Sequence, residues 1–161
     1  MRRSRRCIVV AVGVVGSLAA GCGDDDDGGE AGGERVNVVL SEWIVEPEQD
    51  SVDAGPITFA ADNQGGETHE LVVVEAASAE ELPVDNEGTF DEDAFGEENV
   101  LGEVEDVEPG DTKELTLDLE PGTYVLLCNI VEEPGEMEEM EPGEEPHRHF
   151  AQGMHVSFTV E

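Results

Sequence analysis

Positive charge is almost missing from this chain. Seven Lys and Arg stand against 41 Asp and Glu in 161 residues, for a formal net charge of −34 at pH 7. A surface of that sign repels nucleic-acid phosphates and anionic lipid headgroups, which excludes nucleic acid as a partner. It favours a basic partner, or a saline medium that screens self-repulsion. Aromatic residues make up only 4 % of the chain. The one long apolar stretch, Ile8 to Ala20, falls short of the ~20 residues a membrane-spanning helix needs. Cysteine is scarce as well: Cys7, Cys22 and Cys128 are too few for the disulfide framework of a small secreted scaffold.

What is present begins with a leader. MRRSRR is a basic opening, an apolar stretch follows, and Leu18-Ala19-Ala20-Gly21-Cys22 places small residues directly before a cysteine. This resembles a lipoprotein signal, which implies removal of residues 1–21, a lipid on Cys22 and an extracytoplasmic protein anchored to the cell membrane. Ser4-Arg5-Arg6-Cys7-Ile8-Val9 also looks loosely like a twin-arginine export signal. With Cys7 removed and Cys22 modified, Cys128 is left as a lone thiol with no partner inside the chain, which points to a metal or an intermolecular bond. Residues 22–35 read as an acidic, glycine-rich tether that cannot build a core. The folded domain is expected over 36–161, as a monomer.

From Val36 the pattern changes to period two. Val36, Val38 and Leu40 alternate with Asn37, Val39 and Ser41, and Trp43, Ile44 and Val45 are expected to continue that strand. Ile57, Phe59 and Ala61 face one side of a second strand. Leu71 to Val74 is apolar enough to be buried on both faces. Leu115, Leu117 and Leu119 alternate with Glu114, Thr116 and Asp118 in the clearest strand of all. Tyr124, Leu126 and Cys128 alternate with Val125 and Leu127, and Val156, Phe158 and Val160 close the series. Between them, Ser78 to Glu81 has the spacing of a capping box opening a short helix. Thr89 to Val107 reads as a loop held by a few apolar anchors. Six or more short strands parted by Pro/Gly turns, with little helix, give an all-β, Greek-key sandwich or barrel.

The chemistry gathers between Tyr124 and Val160. Cys128 ends an apolar strand, and His149 stands ahead of Met154 across Phe150, Ala151, Gln152 and Gly153. Far upstream, His69 sits at the mouth of the Leu71–Val74 run. One thiolate, two imidazoles and a thioether form a soft donor set of the kind that selects copper for electron transfer. That order, with Gly-Met-His leading into a last strand, resembles the cupredoxin (blue copper) family over roughly Val36 to Glu161. The resemblance implies a cupredoxin-like fold and a copper ion held by His69, Cys128, His149 and, weakly, Met154. It implies hydrogen bonds to the Cys128 sulfur from backbone N–H groups near Asn129 or Glu70. His147 is a rival to His149, with a poorer spacing to Met154, and His155 is expected to face outward.

Between Cys128 and His149 lies an insert, Val131 to Pro146, rich in glutamate and free of basic residues. It reads as a solvated excursion, or as a place where Met137, Met140 and His147 hand copper to the main centre. The leading functional reading is a membrane-tethered carrier of single electrons between redox protein partners, rather than an enzyme. Alternatives are an extracytoplasmic copper-binding or delivery protein and a metal-free sandwich serving as an interaction module. Four histidines in all are too few for a multicopper oxidase, and a single loop cysteine disfavours a dinuclear copper centre.

Overall fold

A computed structural model describes residues 33–132 and 146–161. The leader, Cys22, nearly all of the tether, and Met137 and Met140 lie outside the described residues. Two sheets stack face to face. The first has the order β2 (Ile44–Pro47), β1 (Glu34–Ser41), β4 (Gly55–Asn63), β7 (Thr112–Leu119). The second runs β3 (Ser51–Val52), β11 (His155–Val160), β8 (Gly122–Leu127), β5 (His69–Glu75), β6 (Val100–Val107). The chain changes sheets after β2, β3, β4, β6 and β7, the long-range connectivity of a Greek-key sandwich. Strand β1 starts at Glu34, ahead of the expected Val36, because Glu34 and Arg35 already pair with Ile57 and Thr58 of β4.

Alternation along the strands decides the core. Val36, Val38, Leu40, Ile57, Phe59, Leu71, Val73, Leu126 and Phe158 fill the space between the sheets, each removed from solvent. The opposite faces of β5 and β8 are buried too. There Val72, Val74, Val125 and Leu127 pack against Ala79, Leu82, Phe90 and Phe150. The segment joining β5 to β6 is therefore a lid over the back of the second sheet, which explains the apolar character of both faces of β5.

Three local expectations give way to the structure. Ser78 does not form a capping box: its side chain makes no cap bond, and Ala79–Glu81 is a single 3-10 turn. Pro83 follows too closely for more, and the turn serves to seat Ala79 and Leu82 on the sheet. Thr89 to Val107 is not a loop throughout. It holds the one-turn α1 (Glu92–Phe95), whose Asp91 carboxylate accepts from Ala94 N–H at 2.9 Å, and then the edge strand β6. Gly102 is where β6 passes over β7, since a Cβ there would stand 2.9 Å from Leu117 Cδ2 and 3.1 Å from Leu115 Cδ1. Finally, Trp43 does not continue β1. It forms a tight turn into β2 with φ at 64°, left-handed backbone that a bulky residue adopts only at a cost.

Candidate metal centre

One end of the sandwich collects the chemistry. Asn63, fully buried at the end of β4, organises the loop to His69. Its Nδ2 donates to Glu67 O and Val107 O, both at 2.7 Å, and its Oδ1 accepts from Gly65 N–H at 2.9 Å. His69 then opens β5, opposite Val107, next to a shift in the β5–β6 register. Cys128 follows β8 and is a free, buried thiol. The return loop is pinned to it by backbone: Cys128 N–H to Met154 O (3.0 Å), His149 N–H to Ile130 O (3.0 Å) and Met154 N–H to His149 O (3.1 Å). Gly153, at φ 93°, ends the short turn Phe150–Gln152 and sends the chain back into β11.

The result is a triangle of donor atoms inside the core. His69 Nδ1 and His149 Nδ1 are 3.2 Å apart, and Cys128 Sγ lies 3.3 Å from His149 Nδ1 and 4.0 Å from His69 Nδ1. His69, Cys128 and His149 are all fully buried. Met154, also fully buried, lies in the same core cluster as Cys128. Glu70 N–H donates to Cys128 Sγ at 3.4 Å, beyond the last β5–β8 pair, and Ile130 N–H bonds the same sulfur. Asn129 N–H is turned elsewhere, to Glu70 Oε1 at 2.9 Å. The Asn129 side chain clamps the lid, accepting from Phe90 N–H and donating to Phe90 O, both at 3.0 Å, and to Glu92 Oε1 at 2.8 Å.

Burial dominates the electrostatics. It pushes the Cys128 thiol up to about 12, against the pull of the Glu70 and Ile130 amides. It pulls His149 down to about 4, helped by the neighbouring His69 and His147, and it lowers His69 as well. Glu70 rises to about 7, again through burial. At neutral pH the bare cluster is thus a thiol and two uncharged imidazoles, and an incoming metal must displace the thiol proton.

The donor set fits a copper ion on its own terms. Three polar atoms turned toward one another in an apolar interior are costly unless something sits between them. Two imidazole nitrogens at 3.2 Å share at most one proton. The circle through the three atoms has a radius of about 2.1 Å, which is the length of a metal–imidazole bond. Two imidazoles and a thiolate in a trigonal array are the donors of an electron-transfer copper site.

Sequence reasoning missed the outer side of this cluster. His149 turns its other ring nitrogen, Nε2, toward Glu67 Oε2 (3.6 Å) and Glu132 Oε2 (3.9 Å). His147 lies in β10 (His147–Arg148), paired with β9 (Val131–Glu132) across the base of the insert. Its Nδ1 stands 3.5 Å from Glu67 Oε1 and 3.7 Å from Glu132 Oε2, so it flanks the centre's outer edge. Trp43 sets its ring edge-on to both, 5.4 Å from His147 and 5.3 Å from His149. No spacing rule links residues 43, 67, 132 and 147; only the unusual Trp after Ser41-Glu42 was a signal. His155 is half buried with its ring 5.0 Å from Phe150.

Fold and donor triangle together define a cupredoxin-type sandwich, and comparison with solved structures agrees on the fold. Auracyanin B superposes with a TM-score of 0.55 at 21 % identity, over 82 % of this chain and 91 % of its own. Dithionite-reduced auracyanin from the photosynthetic bacterium Roseiflexus castenholzii gives 0.53 at 21 % identity, over 81 % and 99 %. Rusticyanin in its reduced form gives 0.46 at 18 % identity, over 81 % of each chain. No protein-family model matches the chain, and no curated protein matches it in sequence.

Proposed function

We propose that the protein is a type 1 copper carrier of single electrons, held outside the cytoplasm on a lipid anchor at Cys22 and exchanging electrons with a redox protein. His69 and His149 would bind copper through Nδ1, Cys128 through its thiolate, and Met154 weakly. The observation that carries this reading is the buried triangle of one sulfur and two nitrogens. When bound, copper supplies a one-electron Cu(II)/Cu(I) couple. The chain's own residues supply the rest. Strand ends fix His69 and Cys128, and the Met154–Cys128 and His149–Ile130 backbone bonds fix the loop. Rigid donors keep their places when the charge on the ion changes, and the amides of Glu70 and Ile130 hold the sulfur in one orientation. The lid and both sheets keep water away.

Among the described residues no helix is long and apolar enough to cross a membrane. The fold of the auracyanins supports the reading without deciding the partner. The test is an absorption spectrum of the copper-loaded protein. An intense thiolate-to-copper band in the visible is expected, abolished in Cys128→Ala and disrupted in His69→Ala. A colourless wild-type protein after full loading would refute the carrier.

A further inference from the structure

The outer edge of His149 carries a second constellation. Glu67, Glu132 and His149 present donor atoms that all lie within 4.8 Å of one another. The His147 nitrogen joins them at 3.5 and 3.7 Å from the two carboxylates. The four nitrogen–oxygen distances are 3.5, 3.6, 3.7 and 3.9 Å. Glu132 offers the same oxygen, Oε2, to both rings, while Glu67 offers Oε1 to His147 and Oε2 to His149. Donors around a tetrahedral ion with bonds near 2.1 Å stand ~3.4 Å apart, so the separations suit an ion held by these four residues. They are too far apart for hydrogen bonds to one another.

Acidic residues are plentiful in this chain, and a cluster of them alone means little. This one differs because its nitrogens are buried and point inward. His149 is fully buried, and its Nε2 makes no hydrogen bond among the described residues. The same holds for His147 Nδ1 and Glu67 Oε2 as atoms. Leaving such atoms without a partner in the interior is costly. The ring of Trp43 packs against both histidines, at 5.4 and 5.3 Å. Glu42 holds the Glu67 loop by accepting from Gly66 N–H (2.5 Å) and Glu67 N–H (3.3 Å).

We propose that Glu67, Glu132, His147 and the outer nitrogen of His149 form a second divalent-cation site, which shares the His149 ring with the sulfur centre. Two carboxylates and two imidazoles without sulfur suit Zn²⁺, Co²⁺ or Mn²⁺ rather than Cu(I). The chain's strong negative charge concentrates such cations at its surface. With copper on Nδ1, the second cation bonds Nε2, and the proton it displaces leaves to solvent, so the ring becomes an imidazolate bridge. Only this bridging depends on the proposed copper centre; the outer ligands stand without it.

Co²⁺ titrated into the copper-loaded full-length protein tests the inference. One equivalent is expected to bind and to broaden or quench the Cu(II) EPR signal, because both ions share one ring. His147→Ala and the pair Glu67→Gln/Glu132→Gln are expected to weaken that equivalent by more than about tenfold while leaving the thiolate band in place. Binding that is the same in these variants, or that leaves the EPR signal unchanged, would mean scattered surface carboxylates and overturn the site. The copper-free Cys128→Ser protein separates the two readings. Zn²⁺ bound by it, and lost on adding His147→Ala, keeps the outer site even if wild type never shows the thiolate band. No Zn²⁺ dependence on His147 there overturns the site whatever the copper spectrum shows.

Discussion

The imidazole of His149 separates two environments of opposite chemistry. On its inner edge are a sulfur and a second imidazole, with no carboxylate oxygen in the triangle. On its outer edge are two carboxylates and a further imidazole, with no sulfur. Both edges are buried, so depth does not distinguish them. What differs is the softness of the atoms, and that alone is enough to sort a polarizable copper ion from a harder divalent one. Total charge, the most conspicuous property of the sequence, says nothing about which ion goes where.

The comparison is broken most strongly by acid in the copper-free protein. His149 has its pKa lowered in the fold, from 6.5 to about 4, so its contribution is complete above pH 6.5 and is lost as pH falls toward 4. Glu70, on the inner side, is raised from 4.5 to about 7, so it favours the fold below pH 4.5 and loses that advantage as pH rises through 7. Each amounts to about 3 kcal/mol, with opposite sign over the same window. Urea midpoints between pH 7 and pH 4 should therefore change little on account of this pair in wild type. They should fall steeply with acid in Glu70→Gln and rise with acid in His149→Gln. Parallel curves for the three proteins would contradict the assignment.

A smaller effect comes from Trp43, which borders the outer edge only. Its left-handed backbone penalises any side chain, so Trp43→Gly should be more stable than Trp43→Ala by about 1 kcal/mol. Thermal unfolding of the two copper-free variants measures the difference, and equal stability would mean the turn has changed shape. Both variants should keep the inner triangle, and so the visible band after copper loading.

The smallest effect belongs to the insert. Its base is already fastened, with Glu132 paired to His147 and Val131 to Arg148. Replacing residues 133–145 with a tight turn should leave the thiolate band intact and stabilise the protein by a few tenths to about 1 kcal/mol through cheaper loop closure. Loss of the band would show that the insert helps to hold His149. If Met137 and Met140 capture Cu(I), the shortened protein should load more slowly from dilute Cu(I).

Much of this architecture was legible because alternation is a local signal. Val36–Leu40, Ile57–Ala61, Leu115–Leu119 and Tyr124–Cys128 each announce a strand within a few residues, and the structure places those strands in two stacked sheets. The residues that the structure brings together, His69, Cys128 and His149, were legible through scarcity, since a lone cysteine followed by a histidine and a methionine leaves few readings. Strand β6 was not. It lies at the sheet edge, where Leu101, Glu103 and Glu105 face solvent and acids interrupt the apolar face. The Ser78 capping box misled because side-chain spacing can match a cap while the lid's packing dictates a single turn. The outer edge of His149 was hidden for a different reason. Glu67, Glu132 and His147 come together only through the Asn63 clamp and the ladder beneath the insert, both made by distant backbone.

Strand β1 also gives the molecule a compass direction. Glu34 pairs with Ile57 and Leu40 with Asn63, so the strand enters at one pole of the sandwich and delivers Trp43 to the other. Its eight residues span roughly 25 Å at ~3.3 Å each. Gly33, the first described residue, therefore lies at the pole remote from His149. On the lipid-anchored reading proposed above, attachment ahead of that pole would turn the histidine pole outward, toward whatever diffuses past, and rotation about the attachment would sweep it over a cap of space.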